Sequence, residues 1–192
     1  MLTADEVVEG SDDAREVKRL LETAFPAFEQ MPYENMAALA RREGVSLLAY
    51  RDDGQFCGFT FLVEGERMVY VLYLAVDERV RSRGYGGRIL ADLTERTGGK
   101  TLTLDIEPVD DAADNADQRR MRRGFYLRNG FAATGWAVCF EGDVFEVLAK
   151  GPSFEPEPFC DLANELPRGE PKTVEPLESL ISPLTGEHYR LP

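Results

Sequence analysis

The chain has 192 residues, 43% of them hydrophobic and 30% charged, which suits one globular domain of ordinary size with an appendage. Its 22 Lys+Arg against 35 Asp+Glu leave a net charge of -13, so nucleic acid and anionic membranes are poor candidates for its main partner. With one histidine, His188, and three scattered cysteines, Cys57, Cys139 and Cys160, the chain offers no Ser-His-Asp triad, Cys-His pair, metal site or disulfide framework.

Met1 to Gly10 lacks the basic start and apolar run of a signal peptide. No stretch approaches the roughly 18 apolar residues of a membrane span. A reducing, cytoplasmic compartment is the resulting expectation.

In chain order, Ser11-Asp12-Asp13 caps a helix with Val17, Leu20, Leu21 and Phe25 at helical spacing. Met36 to Arg42 forms a second helix. Strands follow at Val45–Tyr50, Phe56–Val63 and Met68–Val76, separated by the turns Asp52-Asp53-Gly54 and Glu64-Gly65-Glu66. The third strand is apolar on both faces, which belongs at the centre of a sheet covered on both sides.

An Arg/Gly-rich loop leads into a helix with Ile89, Leu90 and Leu93 on one face, ending near Gly98-Gly99. The next strand alternates, Leu102, Leu104 and Ile106 on one face and Thr101, Thr103, Asp105 and Glu107 on the other. Strand, crossover helix and strand make a parallel βαβ unit. A last helix runs from Ala116 to Asn129 and stops at Gly130. Phe131–Phe140 and Asp143–Ala149 then close a hairpin at Glu141-Gly142. The class is α/β with a mixed sheet over residues 1–150. Residues 151–192 hold eight of the 11 prolines, with little periodicity. They read as a Pro-rich acidic tail, with Phe154, Phe159, Leu177, Leu180, Ile181 and Tyr189 as anchors.

Chemistry concentrates in Arg81-Ser82-Arg83-Gly84-Tyr85-Gly86-Gly87-Arg88. Glycines let a backbone turn tightly and let a ligand approach its amides, and N–H groups at a helix start suit phosphate. Arg79, Arg81, Arg83 and Arg88 concentrate positive charge in an acidic chain. The loop is neither a P-loop, lacking G-K-[ST], nor a dinucleotide fingerprint, lacking the third glycine.

The segment Val76–Gly86 resembles the acetyl-CoA signature of the GNAT N-acetyltransferases, [RQ]-x-x-G-x-[GA] after a buried strand. Arg81, Gly84 and Gly86 fill its defining positions, Ile89-Leu90 its apolar pair, and Ser82 stands where glycine is frequent. Phe125-Tyr126-Leu127-Arg128-Asn129-Gly130-Phe131 is similar to the family's second motif. The resemblance implies a mostly antiparallel sheet with a central splayed parallel pair and flanking helices.

It also implies roles. Amides of Arg81, Ser82, Arg83, Gly84, Tyr85, Gly86 and Gly87 would hold the pyrophosphate of acetyl-CoA. The edge of Leu74, Ala75 and Val76 would pair with the pantetheine arm. Tyr126 matches the residue that protonates the leaving thiolate, Phe125 being the better core residue at four positions from Met121. Glu107 is the candidate base. Asn115 is carried as a contact to the cofactor arm, although it stands 11 residues before Tyr126 instead of two helical turns. Of Arg119, Arg120, Arg122 and Arg123, some reach phosphates and at least two only offset neighbouring acids.

The acceptor wall falls on residues 25–34, where Phe28, Tyr33 and Glu34 would receive a small cationic amine or a peptide amine. A homodimer is left open. Three readings stand: an active N-acetyltransferase, a catalytically silent acyl-CoA-binding module on the same fold, and an interaction protein working through its tail.

Overall fold

The computed structural model describes residues 1–167 and 169–180. Its strands are β1 (Leu2–Glu6), β2 (Val45–Asp52), β3 (Gln55–Glu64), β4 (Met68–Val76), β5 (Thr101–Ile106), β6 (Ala132–Phe140), β7 (Asp143–Lys150) and β8 (Thr173–Pro176). Its helices are α1 (Asp12–Ala24), α2 (Tyr33–Leu39), α3 (Tyr85–Arg96), α4 (Ala116–Arg128), α5 (Pro156–Asn164) and α6 (Leu177–Leu180). The strands form one mixed sheet, in the order β1-β2-β3-β4-β5-β7-β6-β8. β4 and β5 are the parallel pair, Met68, Val69 and Tyr70 lying opposite Thr101, Leu102 and Thr103. The other described pairings are antiparallel.

The chain divides into two compact units, Met1–Gly65 with Val71–Gly98, and Glu66–Tyr70 with the residues from Gly99 onward. In the first, Ser11 Oγ accepts the Ala14 N–H at 3.1 Å and starts α1, whose early acids Asp12 and Asp13 suit the positive end of the helix. Its Val17, Leu20 and Leu21 are buried, as are Phe59, Phe61, Ile89 and Leu90. α2 begins three residues earlier than Met36, because Pro32 presets the entry angle and its carbonyl accepts from Asn35 and Met36. β1 pairs with β2, yet only Leu2 and Ala4 of its LTADE sequence alternate inward, a pattern too short to announce a strand.

In the second unit the polar face of β5 is not wet. Thr101 and Thr103 are buried, their hydroxyls donating to the carbonyls of Ser153 (2.7 Å) and Val69 (2.9 Å). β6 and β7 turn at Glu141 (φ 50°) and Gly142 (φ 84°), a pair of left-handed residues that suits a two-residue hairpin. The described residues of the Pro-rich segment, 151–167 and 169–180, are structured. Pro156 opens α5, Phe159 is fully buried against Phe154 and Tyr70, and β8 adds an edge strand to β6. Lys172, itself buried, donates from Nζ to the carbonyls of Ala163 (2.9 Å) and Leu166 (2.8 Å), closing the end of α5. Leu177 and Leu180 pack against Ala137 and Cys139. Ile181, His188 and Tyr189 lie outside the described residues.

Candidate functional site

Candidate residues fall into both units, and each group is built from its own contacts. In the first, β4 ends at Val76 with Ala75 buried and Leu74 and Val76 half-buried. A 3-10 turn, Glu78–Val80, follows, and then the loop. Ser82 has φ 65° and Gly84 φ 77°, so the chain twice enters the left-handed region before α3 starts at Tyr85. Glycine takes that conformation freely; at Ser82 it costs about 1–2 kcal/mol. Arg88 N–H donates to Gly84 carbonyl oxygen, the first bond of the helix. The N–H groups of Tyr85, Gly86 and Gly87 precede it and, as at any helix start, have no intrahelical acceptor; none has another among the described residues.

The four arginines of this segment divide two and two. Arg79 is bound to Asp77 and Glu16. Arg88 donates to Asp52 at 2.8 Å and stacks over the Tyr85 ring, whose hydroxyl also donates to Asp52 at 3.0 Å. Arg88 above all holds the Asp52 carboxyl far below its ordinary value. Arg81 and Arg83 are exposed, and their side chains make no ion pair or hydrogen bond among the described residues. Helix-start amides with two uncommitted guanidinium groups make a fitting cradle for a pyrophosphate.

In the second unit, Tyr126 is the buried aromatic of α4, between the rings of Phe125 (5.1 Å) and Phe131 (5.6 Å). This reverses the expectation for Phe125, which is only half-buried, while Met121 is 66% exposed. The reason is that α4 has almost no apolar stripe. Besides Ala116 and Tyr126, its inward-facing arginines Arg119 and Arg123 pair with Glu107, just past β5, and with Glu146 of β7. The Tyr126 hydroxyl makes no hydrogen bond among the described residues. Burial pushes its pKa up to about 12, with Arg122 opposing the shift and Asp105 adding to it.

Glu107 lies just past β5 with its side chain 18% exposed. Its Oε1 accepts from Arg119 at 2.7 Å and from Asn115 at 3.4 Å; its Oε2 has only long contacts, to Asn115 at 3.3 Å and Arg122 at 3.5 Å. Asn115 is committed at both ends, its Oδ1 accepting from Arg119 Nε at 2.7 Å. Asp105, on the same strand face, accepts from Tyr70 at 2.6 Å. Arg123 grips the buried Glu146 through bonds of 2.9–3.2 Å, and Arg120 pairs with Asp111 and Asp117.

Within residues 25–34 the first unit holds the chain by Tyr73, which donates to Glu29 carbonyl oxygen (2.5 Å) and accepts from Met31 N–H (2.7 Å). Phe28 is 62% exposed. Tyr33 is half-buried, its hydroxyl shielded without a hydrogen-bond partner among the described residues, and burial raises its pKa. Glu34 is exposed and pairs with Lys18 at 3.0 Å. Sequence reasoning overlooked Asp77 and Asp52, and the available signal was the same for both: an acid at the end of a buried strand, next to arginines.

The family described as "Acetyltransferase (GNAT) domain" matches residues 43–133, from the start of β2 to the start of β6. Over that stretch, a little under half of its length, the chain is similar to the GNAT acetyltransferase domain. It is 32% identical over 107 residues to YjbC of Bacillus subtilis (strain 168), a protein that bears an acetyltransferase name. That match covers 54% of this chain and 53% of the relative, so the chain spans about half the length of YjbC. Among solved structures, a GNAT-family protein from Bacteroides thetaiotaomicron superposes with a TM-score of 0.64 at 22% identity, covering 81% of this chain and 89% of that one. An aminoglycoside 6'-N-acetyltransferase complexed with coenzyme A gives 0.61 at 16% identity, covering 80% and 99%. At these identities the GNAT likeness of the structures is a likeness of fold.

Proposed function

We propose that the chain is an N-acetyltransferase that moves an acetyl group from acetyl-CoA to a primary amine. The observation that carries this reading is the 81–87 loop, with left-handed Ser82 and Gly84, free helix-start amides and two uncommitted arginines. Acetyl-CoA supplies the activated acyl carbon. Arg81 and Arg83, with the amides of Ser82–Gly87, bind its pyrophosphate, and the backbone of Leu74–Val76 lines its pantetheine arm.

Glu107 Oε2 receives the proton of the acceptor ammonium, directly or through water. Oε1, held by Arg119, fixes the carboxylate in place while Oε2 keeps only the long contacts that a water can replace. Asn115 contributes through this carboxylate instead of by touching the cofactor. Tyr126 donates its hydroxyl proton to the departing sulfur as the C–S bond breaks, and the second proton of the attacking nitrogen, released as the amide forms, restores the phenol through solvent; a phenol that burial keeps protonated is suited to that task.

The acceptor is a small cationic amine or a peptide amine. Phe28 offers an exposed aromatic face, and the Glu34–Lys18 pair, exposed on both sides, is weak enough to exchange for a substrate ammonium. The structural neighbour that acts on an aminoglycoside is in keeping with such a substrate.

The test is a screen of amines with acetyl-CoA, comparing the wild type with Tyr126→Phe. The expected result is turnover of a cationic amine by the wild type and a loss of about 10²–10⁴-fold in the variant with acetyl-CoA binding retained. No turnover of any amine beside intact cofactor binding would favour the silent module. Unchanged turnover by Tyr126→Phe would remove Tyr126 from the chemistry.

A further inference from the structure

Between β4 and the 81–87 loop stands one residue whose every polar atom is engaged. Asp77 is fully buried, a rare place for a carboxylate without paired charges. Its N–H donates to Cys57 carbonyl oxygen at 2.9 Å, and its own carbonyl accepts from Val80 at 3.1 Å. Oδ1 accepts the Arg79 N–H at 2.9 Å and Arg79 Nε at 3.0 Å. Oδ2 accepts from Arg79 Nη2 at 2.6 Å and from Arg19 of α1. Glu16, one turn before Arg19, completes the ring by accepting from Arg19 Nε (2.9 Å) and Arg79 Nη2 (2.6 Å).

We infer that Asp77 is the positioning residue of the 81–87 loop, and this rests on the reading of that loop as the pyrophosphate cradle. Acting as the cap of the 3-10 turn, it sets the direction in which the chain leaves β4. By holding two guanidinium groups it ties that turn to α1 and takes Arg79 out of the loop's pool of free charge. What remains exposed and without a side-chain partner among the described residues is Arg81 and Arg83, beside the start of α3. An aspartate suits the place because its short side chain reaches its own turn's N–H and both arginines at once. An asparagine would present N–H donors to two cations and lose this bond set.

The inference is tested on the full chain by measuring acetyl-CoA and acetyl-pantetheine affinity, with melting temperature, for the wild type, Asp77→Asn and Arg79→Gln. Acetyl-pantetheine lacks the pyrophosphate. Both variants should weaken acetyl-CoA binding by about tenfold or more while leaving acetyl-pantetheine unchanged, the size expected for losing a charge-assisted phosphate contact. A role in stability alone would lower the melting temperature and leave the ratio of the two affinities at its wild-type value, which would overturn the inference. Should Asp77→Asn fail to fold, the half-exposed Arg79 still permits the comparison, and an unchanged ratio in Arg79→Gln has the same force. If the wild type itself did not discriminate between the two ligands, the cradle reading would fail first, an outcome distinct from discrimination that survives in the variants.

Discussion

Two arginine-rich segments, one in each unit, use the same side chain for opposite ends. On α4 each of Arg119, Arg120, Arg122 and Arg123 has a carboxylate partner: Glu107 for the first and third, Asp111 and Asp117 for the second, Glu146 for the fourth. In the 79–88 segment only the two outer arginines are tied, and the inner pair, Arg81 and Arg83, is left without partners among the described residues. The first pattern stitches a helix with little apolar surface to its sheet. The second leaves charge waiting for an anion. Density of arginine in a sequence does not separate these roles; what does is whether an acid stands within reach.

The stitching can be broken where it is deepest. Glu146 is buried under Arg123, so Glu146→Ala should lower the unfolding free energy by about 1–3 kcal/mol, read from denaturant melts. A loss confined to a few tenths would mean that α4 is held by something else.

Tyr126, on the same helix, sharpens the comparison by pH. Its folded pKa is about 12, above the ordinary value of 10.0, so the folded state keeps a proton that the unfolded chain releases. The stabilisation is whole below pH 10 and is lost as pH rises toward 12. Tyr126→Phe should therefore show a shallower alkaline fall in stability than the wild type, measured as melting temperature against pH.

The smallest effect is expected at the surface. Arg120 pairs with two highly exposed acids, and Arg120→Ala should change stability by no more than about 0.5 kcal/mol.

How much of this was legible beforehand depended on the kind of signal. β4 was read with its ends correct because nine residues apolar on both faces have few other places to go. The glycine loop was legible as the turn from β4 into α3, because Gly84 is placed where the chain takes a left-handed conformation before the helix. β1 was not, since an edge strand of five residues has only Leu2 and Ala4 to mark its inner face. For residues 156–167 and 169–180 the anchors Phe159, Leu177 and Leu180 were legible but α5 and β8 were not, because that order comes from a few contacts distant in sequence, such as Phe159 on Tyr70 and β8 on β6. The division of the arginines was hidden for the same reason: Arg79 meets Glu16 and Arg88 meets Asp52 only after folding.

The central claim is that Arg81, Arg83 and the amides around them form a pyrophosphate cradle. Calorimetric titration of the wild type and the Arg81→Ala/Arg83→Ala double variant with acetyl-CoA and acetyl-pantetheine addresses it directly. The expected result is an affinity for acetyl-CoA about 100-fold weaker in the variant, an unchanged affinity for acetyl-pantetheine and an unchanged melting temperature. Equal affinity of both proteins for acetyl-CoA, or no preference of the wild type for it over acetyl-pantetheine, would contradict the account.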